Sequence, residues 1–489
     1  MFSFKPRHPQ FFALSLIILV ELSSFLAYFY PSIQLYLLTF SLVIFFVLAL
    51  YSLEATLLLA VIELVIGSKG HLFSADIFGF PVSLRLVIWL ALLLASLVYL
   101  YRHGLIKTWR EKIKVYEFWP WLGVFIIFIL FAFIRGLVFS HSWPLVLADV
   151  NAWLYLALII PVLLAYNPDD KGQGVRVKKY FLLAVIWLSV KTLLLLFIFS
   201  HNLSIVPDVY LWIRRSGVGE ITAMSGGWFR VFIQSQIYLP IAFFLVLFPA
   251  VKAKISGRKQ LFRLFSLLAL FLAVIVISMS RSFWLGFAMA GLIGAIASWR
   301  LSWWLYFKAL AYIVMAALLA ALLTFIIIKV PLPGNKVDVR FQALSERLEI
   351  DNSEAATASR WSLLPNLWQA IKKDPVLGQG FGASVSYYSQ DPRVLINNPD
   401  GWYTTYAFEW AYLDTWLKIG ILGTLAYISW LVYLIIALWQ YARSHKSEIY
   451  LALAVSLLFL MIVNIFTPYL NHPLGLGFLL FSSCFFRKN

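Results

Sequence analysis

The stretch FEWAYLDTWLKIGILG, Phe408 to Gly423, carries Glu409, Asp414 and Lys418 straight into a long apolar segment. Charged groups at a membrane boundary are costly unless they are paired, hydrated or in use. Asp414 and Lys418 stand four residues apart, acid first, the favourable spacing for an ion pair along a helix. Glu409 lies roughly 140° around that helix from Asp414. It shares its face with Leu413, Trp416 and Gly420, none able to neutralise it, so it is either solvated or functional. Candidate cations lie upstream. RRSGVGEITAMSGGWFRVFIQSQIYLP holds Arg214, Arg215 and Arg230, and SMSRSFWLGF places Arg281 in a tight turn between two apolar runs. Arginine suits pyrophosphate, because its planar fork donates two hydrogen bonds at once and stays charged. Arg214 and Arg215 also have lipid headgroups as an option, and Arg281 has a helix end to cap.

Three glycines at 378, 380 and 382 in DPVLGQGFG permit close backbone approach to a ligand. His472, in TPYLNHPLG, is one of seven scattered histidines, none spaced like a metal pair. No Asp-X-Asp or Glu-rich cluster marks an outer loop, so neither a metal nor another cofactor is expected. Cys484 stands alone, which excludes an intramolecular disulfide.

These residues need elements to position them. The chain has 489 residues, 62% hydrophobic and 12% charged, more apolar surface than a soluble domain can hide. Long continuous apolar runs, each able to cross about 30 Å of hydrocarbon, recur throughout and select helices over a barrel. The expected fold is an all-α polytopic integral membrane protein with about 12–14 transmembrane helices, the first at 11–30 and the last at 472–486. The net charge of +17 gathers in short linkers such as Arg102–Lys114, Lys171–Lys179, Lys252–Arg263 and Arg443–Lys446. That is the pattern of cytoplasmic loops rather than of nucleic-acid binding. Counting alternate crossings puts both termini in the cytoplasm and 67–81, 200–230 and 330–419 on the outer side. The chain divides into a first bundle part (1–329), a large outer loop (330–419) and a C-terminal bundle part (420–489). Within the loop, Trp361, Leu364, Leu367, Trp368 and Ile371 follow helical spacing after Ser359 as a cap, with Pro365 delaying or kinking the helix. An apolar-faced helix there would lie on the bundle rim as a lid.

In this order the pieces resemble the O-antigen ligase and O-antigen polymerase superfamily of bacterial membrane glycosyltransferases, over roughly the second half of the chain. SMSRSFWLGF is similar to the family's Ser-Arg turn. SRWSLLPNLWQAIKKDPVLGQGFG is similar to its arginine-led helix with a Pro-X-X-Gly-X-Gly end, and EWAYLDTWLKIGILG to its approach into the helix after the periplasmic loop. The resemblance implies transfer of a glycan from an undecaprenyl-diphosphate carrier to a glycan or lipid-linked acceptor at the periplasmic face of the inner membrane, without a metal and with inversion. It implies that Arg281 and Arg230 bind the diphosphate, with Arg214, Arg215, Arg360, Gly378, Gly380 and His472 around the substrate. Where the family carries His-Asn, this chain has Glu409-Trp410. A carboxylate can serve as general base, and the apolar neighbours Phe408, Trp410 and Trp416 would raise its pKa toward working pH. His472 is a second candidate for part of that role. The rival reading is a flippase or other transporter, for which the midspan ionisable residues Glu21, Glu54, Glu63 and Lys191 would matter.

Overall fold

A computed structural model describes residues 9–77, 80–104, 117–167, 170–255, 257–298, 302–330, 355–445 and 447–483. Much of the linker Arg102–Lys114, the start of the outer loop and the last residues of the span 472–486 lie outside these. Among the described residues, ten helices are long and apolar enough to cross a membrane, from Gln10–Phe29 to Ala411–Ser444. Three shorter apolar helices, Arg281–Ala297, Glu448–Val463 and Pro473–Ser482, accompany them. The chain is an all-α polytopic membrane protein. Serines start several spans: Ser52 accepts a hydrogen bond from the Ala55 amide, and Ser83 one from that of Leu86, each satisfying a donor the helix start leaves free. The helix Trp119–Val138 packs on Ala411–Ser444 through a stacked Phe125–Tyr427 pair 4.4 Å apart.

Several ionisable residues inside the bundle are matched. Lys191 donates to both oxygens of Glu21 at 2.8 and 2.7 Å, and Arg85 grips Glu63 at 2.9 and 3.1 Å. Arg176 pairs with Glu54 at 2.6 Å. Burial without such partners would be far more costly than the pairing itself.

Each expected outer connection carries a feature absent from the sequence reading, an antiparallel hairpin. Ser74–Ile77 pairs with Phe80–Ser83, Gly219–Ala223 with Phe229–Ile233, and Val385–Tyr388 with Trp402–Thr405. The lid helix spans Ala355–Lys373 and continues past Pro365, so the proline does not delay its start. Ser359 is not its cap; it lies inside the helix and shares a 2.8 Å hydrogen bond with Ser389. Its buried face is Leu363, Leu367 and Ile371, which form a separate small core with Val385, Tyr387, Phe408 and Leu417. Trp361 and Trp368 stay exposed.

The helix Ala411–Ser444 breaks at Gly420, whose φ of 73° and ψ of 173° leave helical space. Such a break frees backbone groups that find no water in hydrocarbon. The segment after the lid helix satisfies them. The Gln379 amide donates to the Leu417 carbonyl at 2.7 Å, the Gly380 amide to Lys418 at 3.0 Å, and Ile421 to Pro375 at 3.0 Å. This contact needs glycine. A Cβ on Gly378 would sit 2.4 Å from the Gly420 nitrogen, and one on Gly380 would sit 2.3 Å from that of Gly136. The close approach expected of these glycines is thus made to the protein's own backbone.

Candidate functional site

Arg230 and Arg281 come from different connections to one turn. Arg230 leaves the hairpin strand Phe229–Ile233, lies over the Phe232 ring, and donates through Nε to the Ser278 carbonyl at 3.0 Å. Three residues on, Arg281 opens the helix Arg281–Ser298 and is half-buried. Between them Met279 holds φ at +47°, left-handed backbone that a non-glycine residue adopts only under strong constraint. Trp284 helps constrain it, donating to the Ile275 carbonyl across the turn at 3.0 Å. Tyr469 stands beside this turn, its ring 5.7 Å from Phe283 and its hydroxyl donating to Gln234 at 3.2 Å. Burial raises the Tyr469 phenol far above its usual range, opposed by the charge of Arg230.

Arg214 and Arg215 end the short helix Val206–Arg215 just upstream. Arg214 forms a 3.0 Å ion pair with Glu220, on the strand that pairs with the one bearing Arg230. Arg215 lies over the Tyr28 ring. Both are exposed.

Glu409 is held differently from the expectation. It is 49% exposed and ion-paired to Arg360, which the lid helix brings across; Arg360 is 45% exposed. Glu409 lies just before the helix Ala411–Ser444, in the bend leading into it, so the helix face expected for it does not exist, and its neutralising partner comes from another element. The surroundings are therefore not the apolar pocket expected, since Phe408 is buried in the small loop core and Trp416 turns away to donate to Pro375. Trp410 ties the pair down, donating to the Arg360 carbonyl at 3.1 Å and packing edge-on against Trp361.

Nine residues on from Glu409, a buried knot forms around Lys418. Its ammonium donates to Asp149 at 2.7 Å and to the Tyr406 carbonyl at 2.8 Å, and pairs with Asp414 at 2.6 Å. Two oxygens accept hydrogen bonds from it, and Asp414 adds a second negative charge at ion-pair distance. The expected Asp414–Lys418 pair is present, but it is buried, and it has a third member that the sequence reading missed. Asp149 also accepts the Gly382 amide at 2.7 Å, fastening the glycine turn to the knot. Asp149 had a signal, a lone carboxylate within the apolar run WPLVLADVNAWL.

A cavity of 200 Å³ opens on the knot, lined also by Asn471, His472, Trp153 and Pro468. Asn471 reaches Thr415 at 2.9 Å. Burial, then the charges of Arg85, Lys69 and His71, push the His472 imidazole down to about 3. Its Nδ1 accepts the Leu474 amide at 3.3 Å, so the neutral ring carries its proton on Nε2. His472 is thus a neutral hydrogen-bonding group and a weak base. The connection Asn464–His472 links the two halves of the site, touching the arginine turn through Tyr469 and the knot through Asn471. Among the described residues, no group of three His, Cys, Asp or Glu side chains is arranged to hold a metal.

Residues 266–428 match the family model described as O-antigen ligase. That span takes in Arg281, Arg360, Gly378, Gly380 and Glu409, and leaves out Arg214, Arg215, Arg230 and His472. No curated protein matches the chain.

Proposed function

For a chain that carries an O-antigen ligase domain over residues 266–428, we propose transfer of a glycan from an undecaprenyl-diphosphate carrier to an acceptor hydroxyl at the periplasmic face of the bacterial inner membrane, with both termini in the cytoplasm. The observation that carries this reading is the convergence of Arg230 and Arg281 on one constrained turn. It lies at the end of the bundle where the half-exposed Glu409–Arg360 pair also stands. Two guanidinium groups held in advance are matched to the charge that grows on a departing diphosphate, where fixed donors lower a barrier most. The acceptor oxygen attacks the anomeric carbon from the face opposite the diphosphate. The bond from that carbon to the diphosphate oxygen breaks, its electron pair leaving with the oxygen. The hydroxyl proton passes to Glu409, and the anomeric configuration inverts. Arg360 orients the carboxylate, and the lid helix with its small core keeps water from the anomeric carbon.

In this reading Arg230 and Arg281 neutralise the departing diphosphate, so the transfer calls for no metal, and Lys418 balances the buried carboxylates Asp149 and Asp414. Arg214, Arg215 and His472 surround the bound glycan and carrier. A ligase would present a lipid-anchored core sugar as acceptor, and a polymerase a second carrier-linked glycan. The flippase reading is less well supported. The midspan charges that a transporter would use are already locked in the pair Glu21–Lys191, and Glu63 is paired with Arg85 at the helix ends beside the first hairpin.

The test is single-turnover transfer with purified undecaprenyl-diphosphate glycan and each acceptor in turn. Glu409→Gln should abolish transfer while leaving carrier binding intact, whereas Arg281→Ala should weaken both. Wild-type transfer by Glu409→Gln would overturn the assignment.

A further inference from the structure

At the other end of the bundle from the arginines lies a second cavity, of 760 Å³. Its polar mouth is formed by Asn167, Asp170, His445 and Ser447, in the turns between spans. From there it runs inward along Val61, Val65, Leu245 and Phe478 and ends at Tyr238, whose hydroxyl is already spent on the Leu474 carbonyl at 2.7 Å. The inner walls are mostly aliphatic and aromatic, with polar groups gathered toward the turns. The volume falls within the range of small-molecule sites, roughly 300–1,000 Å³.

Charge selects the occupant. Lys178 lines the shaft about two turns inside the helix Lys171–Ser200, and among the described residues it has no hydrogen-bond or ion-pair partner. The neighbouring cation Arg176, by contrast, is satisfied by Glu54 and Asp170. An unmatched ammonium beside a largely apolar cavity is complementary to one molecule with an anionic head and a hydrocarbon chain. We infer that this cavity binds an anionic phospholipid, one acyl chain running toward Tyr238 and the phosphate resting on Lys178. The site is separate from the transfer site and does not depend on the function proposed for it.

The full-length chain, extracted in mild detergent, would be examined by native mass spectrometry, and its retained lipid identified after release. Wild type should keep about one phosphatidylglycerol per chain through washing. In vesicles mixing phosphatidylglycerol with phosphatidylethanolamine, Lys178→Met should lower the preference for the anionic lipid roughly ten-fold, the loss of one charge-assisted contact. Leu453→Trp, which fills the shaft, should expel the lipid without lowering the unfolding temperature. Val61→Phe serves the same purpose if that variant fails to fold. A wild-type chain that retains no phospholipid, one that retains polyprenyl phosphate in its place, or folded shaft-filling variants that keep the lipid would each overturn the proposal.

Discussion

Glu409 and Asp414 are two carboxylates five residues apart on one strip of chain, and they are held in opposite ways. Glu409 is half exposed and answers to one cation, Arg360, from the lid helix. Asp414 is buried and shares Lys418 with Asp149. A pair at the surface contributes little to stability, typically about 0–1 kcal/mol, because solvent screens it and its side chains must be ordered. A buried charge cannot lose its partner so cheaply. The first arrangement leaves a group free to exchange partners with a substrate; the second clamps three pieces of the molecule together. Lys418 joins the helix Trp143–Leu154 through Asp149, the end of the outer loop through the Tyr406 carbonyl, and its own helix through Asp414. Since Tyr406 lies three residues before Glu409, the buried knot fixes the platform on which the exposed carboxylate stands.

The strongest way to break this contrast is Lys418→Met, which strands two carboxylates in a buried site. Losing one side of a buried ion pair costs about 3–5 kcal/mol. Chemical unfolding in detergent should register a loss of that size, with transfer lost as well; an unfolding midpoint within error of wild type would show that the knot is not the clamp described. Glu409→Gln is the mirror experiment. Stability should shift by less than about 1 kcal/mol, as for a screened pair, while transfer falls roughly 10²–10⁴-fold, the usual contribution of a general base. If stability fell as far as in Lys418→Met, the distinction between the two carboxylates would collapse.

The extent to which the sequence discloses this arrangement follows from the range of the forces. The spans were legible because apolar run length alone decides whether a segment crosses the bilayer. The pair Asp414–Lys418 was legible because four residues along a helix is a local relation. Asp149 was not assigned its role, because its partner Lys418 lies 269 residues further on. Arg360 could be singled out, but its contact with Glu409 depends on how the lid helix folds back, which no local pattern encodes. The hairpins were missed because strands of four or five residues are too short for alternation to stand out. The late start expected from Pro365 fails for a different reason: the packing of Leu363, Leu367 and Ile371 carries the helix through it. The glycines at 378 and 380 were rightly read as points of close approach, while what they approach is visible only once Gly420 breaks its helix.

That break offers a middle-sized test. Gly378→Ala would place a Cβ against the Gly420 nitrogen at a residue whose φ is +73°. Strained backbone of this kind costs of order 1–3 kcal/mol. Because Gly378 adjoins the amides that repair the broken helix, hydrogen exchange at Gln379, Gly380 and Ile421 should accelerate together, with distant spans unchanged. Unaltered protection at those three amides would mean that the repair does not depend on the glycine turn.

At neutral pH the smallest effect is expected at His472, whose contribution shows only in acid. The imidazole is pushed down to about 3 in the folded protein, from the ordinary value of about 6.5. The unfolded chain therefore binds a proton at a higher pH than the folded one, and its stability relation runs in a definite direction. The contribution from keeping His472 neutral is fully present above about pH 6.5 and is progressively lost as the pH falls toward 3. Replacing it with glutamine removes that titration but keeps a polar group beside the cavity. Between pH 7 and pH 4 the unfolding temperature of His472→Gln should decline less steeply than that of wild type. The transfer rate near neutral pH should keep its pH profile, because a ring that stays neutral there does not set it. A displaced rate profile would instead make His472 a titrating participant and shift the base role away from Glu409.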